Sequence, residues 1–354
     1  MSSQVEELRP EGILGRRRSS VKKSELDNGV RDSSNADDRR SEGISSRFFI
    51  EYYIEVAKMK AWEVIALLSG FIILNVKAII LLAMDVYQLI FPPEEKSLQG
   101  QLILITGAGQ NLGRELSLQL ARLGAKMILL DINEEQNMTT AEMIRDAGGD
   151  AYTFTCDVSD QKSVAAIGVK VRREIGHPGY VFSNAGIYEH KPFLSHTPDE
   201  IQRLVNVNLL GNLWVTREFL GHMMQHNRGH VVSISSVLGY IGRNNVVPYC
   251  ASKFGVKGMT EALGEELRME RRSGVKVTAV HPFIISNIDD VSPNLKFPWL
   301  FEILEPSDAA SRIIRGVRRN QEEIFLPEKL KPFMQFSRVL PRKLRRLFAD
   351  YVES

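Results

Sequence analysis

Tyr249 and Lys253, a tyrosine and a lysine four residues apart, give the most specific chemical signal in this sequence. Ser236 precedes the tyrosine by thirteen positions, and a glycine-rich stretch lies well upstream of all three. A free tyrosine has a pKa of about 10, which is too high for a base at neutral pH. A neighbouring ammonium stabilises the phenolate, and residues four apart lie on the same face of a helix. The spacing therefore predicts a proton-transfer pair, with a core tyrosine and a surface lysine as the alternative.

The glycine-rich stretch TGAGQNLG runs from Thr106 to Gly113, after a strand-like apolar run and before a helical pattern. Glycines at this place allow a tight turn and a close approach of a pyrophosphate to a helix N-terminus. The position predicts a dinucleotide site, whereas an isolated glycine run would be an ordinary loop. The residues expected to line it are Gly107, Gly109, Asn111, Leu112 and Gly113.

Asp131 ends the second strand-like run, eighteen residues after Gly113. A carboxylate there can accept hydrogen bonds from the adenosine ribose, and it repels the extra phosphate of NADP. Neither Ile132 nor Asn133 is basic, so the sequence favours NAD as cofactor, with NADP less favoured. An N-cap role for Asp131 at the following helix is compatible with the same position.

Strand-like runs alternate with helical patterns such as Arg114–Leu123 and Pro198–His222. The runs are Leu102–Ile105, Met127–Leu130, Tyr152–Thr155, Tyr180–Phe182, His230–Ile234, Val275–Val280 and Glu323–Leu326. This alternation predicts right-handed βαβ units and an α/β, Rossmann-type doubly wound parallel sheet over residues 98–328.

Further motifs accompany the glycine turn, Ser236 and the Tyr249–Lys253 pair. They are Asp157-Val158, Asn184-Ala185-Gly186 and Asn208. Together these motifs resemble the short-chain dehydrogenase/reductase superfamily across residues 98–328. The stretches 91–100, 130–133 and 205–211 and the apolar N-terminal segment make the chain similar to its membrane-associated branch. That branch contains retinol dehydrogenases and the 17-beta-hydroxysteroid dehydrogenases of lipid droplets and endoplasmic reticulum.

The resemblance implies roles for the cofactor-binding residues. Asp157 would bond the adenine amino group with Val158 beside the ring, and residues 184–186 (Asn184, Ala185 and Gly186) would line the cofactor ribose. The loop His281–Ser286, which contains Pro282, would close over the nicotinamide. The family usually has threonine where Ser286 stands, and serine keeps the hydroxyl. Asn111 stands at the place of the family's middle glycine, a departure that concerns cofactor affinity more than the fold.

The resemblance also implies a proton path. Tyr249 would exchange a proton with the substrate oxygen while a hydride moves to or from the nicotinamide. Lys253 would supply an ammonium and reach the nicotinamide ribose, and Ser236 would hydrogen-bond the substrate oxygen. Asn208 would hold a water that joins Lys253 to a proton relay. Taken singly, Lys253, Ser236 and Asn208 could be a surface lysine, a strand-end serine and a helix-bend asparagine.

Residues 287–305 are predicted to form a substrate lid rich in aromatic side chains, such as Phe297, Trp299 and Phe301. An apolar lid favours a lipophilic alcohol or carbonyl substrate, with retinoids and steroids implied by the resemblance. Alternatively, the aromatics only pack the lid. A second hypothesis for the whole chain is a cofactor-binding scaffold with little catalysis.

The termini differ from the central domain in composition. Residues 1–47 are polar and are expected to be disordered. Residues 48–97 are expected to hold a membrane anchor, since Val64–Met84 is apolar and long enough to span a bilayer. Asn75 and Lys77 interrupt it, and a central lysine costs about 2.5–3.5 kcal/mol. The segment could span, lie in the membrane plane, or be a soluble helix.

Residues 329–354 are basic and amphipathic, which fits either a helix on an anionic membrane or one docked on the domain.

Bulk properties limit the partners. The net charge of +2 argues against nucleic-acid binding. Cys156 and Cys250 lie far apart without metal-ligand spacing, so neither a disulfide nor a metal site is expected. We expect membrane localisation at the endoplasmic reticulum or lipid droplets, with a cytosolic catalytic domain in which the sequon at Asn137 is unused. Family habit implies a homodimer.

Overall fold

The computed structural model describes residues 34–286, 297 and 299–353. The chain divides into two compact units, Met1–Tyr87 and Gln88–Ser354. The first unit contains one long helix, and the second contains the sheet and every residue of the predicted site.

The long helix α1 spans Ser34–Ile90. Its stretch Glu51–Gln88 is long and apolar enough to cross a membrane. Within it, the Asn75 amide donates to the carbonyl of Phe71 at 2.7 Å, which satisfies part of this polar side chain inside the helix. Residues 34–47, which were predicted to be disordered, belong to this helix; extending an existing helix is much easier than starting one. The rest of the predicted tail lies outside the described residues.

A seven-stranded parallel sheet forms the centre of the second unit, in the order β3-β2-β1-β4-β5-β6-β9. Its strands are β1 Leu102–Thr106, β2 Lys126–Asp131, β3 Ala151–Thr155, β4 Tyr180–Ser183, β5 Gly229–Ile234, β6 Val275–Pro282 and β9 Glu323–Leu326. All seven predicted strands and the doubly wound order are confirmed. The order reverses between β1 and β4, so the carboxyl ends of these strands border the crevice where such sheets bind ligands.

Helices cover both faces of the sheet, and a short parallel pair, β7 Ile284–Ile285 and β8 Ile303–Leu304, follows β6. The helices are α2 Asn111–Arg122, α3 Glu134–Asp146, α4 Gln161–Glu174, α5 Pro198–Val205, α6 Gly211–Gln225, α7 Val247–Met269, α8 Pro306–Arg318, α9 Leu330–Val339 and α10 Arg342–Glu353. One apolar cluster includes Leu116 and Ile313, and a second includes Val171 and Phe219. The residues of both clusters come from the sheet and from the helices that cover it, so the strand ends are held in fixed positions.

The predicted helix Pro198–His222 is not a uniform α-helix. A capping box between Thr197 and Glu200 starts α5, and a π-helical turn, Asn206–Leu210, separates α5 from α6. Asn208 lies in this turn and is fully buried. Such a turn changes the hydrogen-bond partners of the local backbone and often occurs at functional sites.

Asn137 of the sequon is buried on α3, and its amide donates to the carbonyls of Leu129 and Phe154 at 3.0 and 3.3 Å. A folded domain therefore cannot present this asparagine for glycosylation. The absence of a glycan at Asn137 would carry no information about which side of a membrane the domain faces.

Candidate active site

The glycine turn after β1 leaves no room for side chains at two positions. Gly107 has a φ of 65°, and a Cβ there would lie 2.9 Å from Cα of Ala185. A Cβ at Gly113 would lie only 1.8 Å from the carbonyl oxygen of Gly107. Both positions therefore require glycine, and they bring the start of α2 against the end of β4 (Tyr180–Ser183).

Asn111 begins α2 and has a φ of 46°, in the left-handed region. Asparagine tolerates this conformation better than most residues. The turn therefore forms with asparagine in place of the middle glycine. This agrees with the expectation that Asn111 affects cofactor affinity more than the fold. Leu112, the next residue, is buried in the core beneath the turn.

The carboxylate of Asp131 ties the glycine turn to the end of β2. One oxygen accepts from the backbone N–H of Gly109 at 2.8 Å, and the other accepts from Asn133 at 2.9 Å. The N-cap of α3 is Asn133, whose side chain accepts from the backbone of Gln136. The capping alternative for Asp131 is therefore wrong, and its carboxylate lies beside the turn.

Thr106, which the sequence analysis did not single out, joins β1 to the Asn184–Gly186 motif. Its hydroxyl accepts from the backbone N–H groups of Asn184 and Ala185, each at 3.0 Å. The Asn184 amide donates to the carbonyls of Thr106 and Gly107 at 3.0 and 3.1 Å. These four bonds hold the two strand ends together at the crevice.

Arg114 and Thr140 also support the glycine turn and were not predicted. The Arg114 guanidinium donates to the Gly109 carbonyl and, at 3.1 Å, to the Thr140 hydroxyl. That hydroxyl in turn bonds the Ala108 carbonyl at 3.0 Å. Their spacing in the sequence gives no signal, because the contacts join α2 and α3 across the turn.

The Asp157–Val158 pair follows β3 (Ala151–Thr155). The Asp157 carboxylate accepts from the backbone and hydroxyl of Ser159 at 2.9 and 2.7 Å. Val158 is buried, and a Cβ at Gly211 would lie 3.0 Å from its side chain. The structure thus places this pair at the same edge of the sheet as Asp131.

Lys253 is buried on α7, and its ammonium has a fixed position. Nζ donates to the carbonyl of Ile234 at 2.9 Å and lies 5.5 Å from the centre of the Tyr249 ring. The Tyr249 ring also meets Tyr188 edge-on at 4.9 Å. Because the lysine is held at the end of β5, its charge stays next to the tyrosine, and the surface-lysine alternative is wrong.

Ser236 lies two residues after the end of β5 (Gly229–Ile234) and is buried. Its hydroxyl accepts from the backbone of Leu238 at 3.1 Å and donates to the carbonyl of Pro282 at 3.4 Å. The neighbouring Ser235 hydroxyl donates to the carbonyl of Lys253 at 2.9 Å. Ser236, Pro282 and α7 are thus joined at one strand end.

Asn208 is held by bonds to the chain after β4. Its amide oxygen accepts from the backbone N–H of Ile187 at 2.8 Å, and its nitrogen donates to the Ile187 carbonyl at 2.9 Å. The nitrogen also donates to the Ser252 hydroxyl at 3.2 Å. A Cβ on Gly186 would lie 3.3 Å from the Asn208 oxygen and 3.6 Å from Nζ of Lys253. Gly186 thus lies between these two side chains.

Pro282 is the last residue of β6 (Val275–Pro282), and Ser286 directly follows the short strand β7. Ser286 donates its backbone N–H to Leu304 at 2.9 Å. Its hydroxyl is buried and has no hydrogen-bond partner among the described residues. A buried unpartnered hydroxyl is costly, so this atom fits a polar group of a bound molecule.

A buried polar network lies behind Ser236. His281 is completely buried, and burial lowers its pKa to about 3. The Tyr240 hydroxyl donates to Glu323, and burial followed by this bond raises the pKa of Tyr240. The Lys257 ammonium lies 4.6 Å from the centre of the Tyr240 ring. Sequence spacing gives no signal for this network, because its residues lie on four separate segments.

Two histidine-containing clusters lie outside these residues. Ligand atoms of Glu189, His196 and Glu200 fall within 4.8 Å of one another. Lys191 already lies among them, with its ammonium 2.6 Å from Glu200 and 3.5 Å from Glu189. This ammonium supplies the positive charge of the cluster, so the geometry does not require a metal.

Three histidines form the second cluster. His222 lies in the last turn of α6 and His226 caps that helix, and the centres of their stacked rings are 4.1 Å apart. The ring of His177 stacks on His222 at 3.7 Å. Burial is the main cause that lowers the pKa of both His177 and His222. The cluster contains none of the predicted site residues.

Most of the predicted substrate lid, residues 287–296 and 298, lies outside the described residues. Of the remainder, Phe301 is buried and packs 5.3 Å from Phe283, whereas Trp299 is exposed. Phe283, Phe297 and Phe301 belong to the apolar cluster around Val237 and Tyr240, next to Ser236.

Comparisons with known proteins agree with this arrangement. A family model described as short chain dehydrogenase matches residues 101–290. The chain is 37% identical over 265 residues to epidermal retinol dehydrogenase 2 of Homo sapiens, covering 74% of this chain and 85% of the relative. It is 32% identical over 256 residues to estradiol 17-beta-dehydrogenase 11 of Macaca fascicularis, covering 72% and 84%. A solved short chain dehydrogenase/reductase from Burkholderia phymatum in complex with NAD superposes with a TM-score of 0.62 at 22% identity, covering 69% and 94%, which shows the fold alone.

Proposed function

This chain belongs to the short chain dehydrogenase family, and we propose that it interconverts a lipophilic alcohol and its carbonyl with NAD. The observation that carries this proposal is the buried Lys253 ammonium, held by the Ile234 carbonyl at 2.9 Å and 5.5 Å from the Tyr249 ring. An ammonium removed from water and placed beside a phenol favours the phenolate. It therefore prepares Tyr249 for proton transfer near neutral pH.

The residues of the crevice fit a nicotinamide dinucleotide. The glycine turn allows a pyrophosphate to approach the start of α2, since Gly107 and Gly113 have no space for a Cβ. The unpartnered Ser286 hydroxyl can bond the carboxamide, and Asp157 with Val158 can hold the adenine. The Asp131 carboxylate favours the ribose hydroxyls of NAD and repels the additional phosphate of NADP.

When bound, the cofactor supplies or accepts the hydride, and the side chains of the protein transfer the proton. In the oxidation direction, Tyr249 as phenolate accepts the hydroxyl proton of the substrate as the hydride leaves the carbinol carbon. In reduction, the Tyr249 hydroxyl donates that proton to the carbonyl oxygen. Ser236 would donate its hydroxyl proton to the same oxygen in place of its 3.4 Å bond to the Pro282 carbonyl, and would stabilise the developing charge there. Lys253 stays beside the phenol in both directions, because the Ile234 carbonyl holds its side chain there.

Asn208 would support proton exchange with solvent. Both N–H groups and the oxygen of its amide bond Ile187 and Ser252, so the side chain ties the π-helical turn to the chain after β4 and to α7. A water bound at this turn, near Gly186 and Lys253, would complete the relay that the resemblance implies. The amide thus acts by positioning the backbone of the turn.

Aromatic side chains beside Tyr249 and after Ser236 support a lipophilic substrate. Tyr188 meets the Tyr249 ring edge-on, and Phe283 and Phe301 pack against each other in the apolar cluster that includes Val237, the residue after Ser236. The relatives include proteins named for retinol and for estradiol. Retinoid and steroid alcohols are therefore the substrate classes that we propose.

The test compares the wild-type chain with Tyr249→Phe on retinoids, steroids and fatty alcohols. We expect wild-type turnover with NAD and a loss of at least about a hundredfold in the variant, typical for removal of a general acid–base group. Cofactor binding by the variant shows that it is folded. Equal rates in the two proteins, or no turnover in either, would favour the alternative hypothesis of a cofactor-binding scaffold.

We further propose that α1 anchors the chain in the endoplasmic reticulum membrane or on lipid droplets, with the dehydrogenase domain in the cytosol and the chain as a homodimer. The apolar stretch Glu51–Gln88 supports the anchor.

Because Asn137 is buried, topology must be tested by protease accessibility in intact microsomes. Rapid cleavage of the domain in sealed microsomes is the expected result, and protection until detergent is added would contradict it. Fluorescence microscopy of the tagged chain shows whether it lies on the endoplasmic reticulum or on lipid droplets. Light scattering in detergent gives the oligomeric state.

A further inference from the structure

The two C-terminal helices present large apolar side chains to solvent. On α9, Phe336 and Val339 are 61% and 76% exposed, and on α10, Leu347 and Tyr351 are 64% and 57% exposed. We call these four residues the C-terminal apolar surface. Soluble domains rarely expose several such large apolar side chains close together in sequence.

The orientation of α9 (Leu330–Val339) on the domain is fixed. Leu330 and Met334 are buried with Val237, Tyr240 and Phe325, and Phe333 meets Phe301 edge-on at 6.5 Å. One face of α9 is therefore docked on the domain, which was one of the two alternatives for residues 329–354. The opposite face, with Phe336 and Val339, is held outward by that docking.

Helix α10 (Arg342–Glu353) has a clear division into two faces. Leu344, Leu347 and Tyr351 are spaced three and four residues apart, so they lie on one side of the helix. Basic residues occupy the remaining positions near its start: Arg342, Lys343, Arg345 and Arg346. From residue 329 to the C-terminus there are seven lysines and arginines and two acidic residues.

We propose that the C-terminal apolar surface docks on an anionic phospholipid membrane. An apolar helix face flanked by arginine and lysine is what an interfacial helix requires, since the side chains enter the acyl boundary while the cations meet phosphate and carboxylate headgroups. The same chain contains a stretch that can cross a membrane, so a lipid surface is a partner it meets. A second copy of the chain would match the apolar residues, but it would bring the same excess of positive charge.

This surface continues into the segment before α8. The rings of Tyr351 and Phe297 lie 6.0 Å apart, and Lys329 donates to the carbonyl of Trp299 at 3.4 Å. Trp299 is itself exposed. Docking would therefore place the described part of the predicted lid at the membrane, where a lipophilic substrate is dissolved. This consequence rests on the proposed function; the docking itself does not.

The experiment measures lipid contact at single positions of the full chain reconstituted into vesicles. Leu347→Cys and, as the matched control on the polar face, Arg346→Cys are labelled with a polarity-sensitive fluorophore. Cys156 and Cys250 are buried, and burial raises the pKa of both thiols, so the new cysteine reacts preferentially. The vesicles contain phosphatidylcholine alone or with phosphatidylserine, and carry nitroxide-labelled acyl chains as quenchers.

With phosphatidylserine, we expect quenching at position 347 to exceed that at position 346 several-fold, and to fall when salt is raised. Arg345→Glu should abolish the difference, whereas Lys170→Glu on α4 should leave it unchanged. Equal quenching at the two positions would overturn the proposal, as would equal quenching with and without phosphatidylserine. A label at 347 that is shielded from both nitroxide and aqueous iodide would indicate a protein partner and also contradict it.

The same samples distinguish a failure of membrane docking from a failure of the proposed enzymatic activity. Turnover of a retinoid or steroid alcohol without selective quenching at 347 rejects only the docking surface. Selective quenching without turnover rejects only the enzymatic activity.

Discussion

The imidazole of His281 donates a hydrogen bond to the backbone carbonyl of Ser236, with Nδ1 3.3 Å from the oxygen. A carbonyl can only accept, so the proton is on Nδ1, and the lone pair of Nε2 faces Glu323 at 3.8 Å. A buried neutral histidine therefore fixes the backbone of the serine that is proposed to bind the substrate oxygen. His281 is a positioning residue, because it acts through the backbone of Ser236.

Replacement of His281 by leucine should lower kcat about tenfold and change KM for the alcohol little, since the bond aligns Ser236 for the transition state. His281→Gln retains a donor and should recover part of kcat. The pH profile of both variants should keep the wild-type shape, because a group with a pKa of about 3 does not titrate between pH 5 and 9. A shifted profile or a change in KM alone would contradict the positioning role.

Two buried histidines should make the protein acid-sensitive. Burial lowers the pKa of His230 and of His281 to about 3, from an unfolded value of about 6.5. Both are neutral when folded, so the unfolded chain binds more protons below pH 6.5, and stability is lost as pH falls from there toward 3. At pH 4.5, each histidine should reduce the free energy of unfolding by roughly 2 to 3 kcal/mol relative to pH 7.

The measurement for acid sensitivity is urea unfolding of the detergent-solubilised chain at pH 7 and pH 4.5, followed by tryptophan fluorescence. His230→Asn removes one titrating group, whose Nε2 lies 2.7 Å from the Thr278 hydroxyl, and should flatten the pH dependence. His190→Asn, at a histidine outside the core, is the control and should not. Equal stability of the wild type at the two pH values would disprove the prediction.

The seven strands could be predicted because each is an apolar run of the right length, and the site residues because their spacing matched known motifs. Thr106 and Asn184 show what could not be predicted. They are 78 positions apart, and their bonds exist only because β1 and β4 are neighbours at the reversal of the sheet. The link from His281 to Glu323 likewise depends on the pairing of β6 with β9. Local periodicity carries no information about either contact.

Asp131→Asn should change the cofactor preference. Removal of the negative charge beside the glycine turn should raise kcat/KM for NADP and lower it for NAD, moving their ratio about tenfold. Loss of the bond to the Gly109 N–H would weaken both cofactors alike, so the ratio isolates the charge effect. Asp150→Asn, which affects only an exposed ion pair with Lys126, should leave the ratio unchanged. An unchanged ratio in Asp131→Asn would argue against the NAD assignment.

Asn111→Gly should strengthen cofactor binding. Asn111 has a φ of 46°, which glycine adopts without strain, and the glycine removes a side chain from the turn that faces the pyrophosphate. We expect KM for NAD to fall a few-fold while kcat at saturating NAD stays the same. Asn320→Gly is the matched control, since Asn320 has a φ of 53° but its side chain bonds Lys96 outside the turn. If both variants lower KM equally, the effect is a general one of backbone freedom; if neither does, Asn111 does not limit the affinity for NAD.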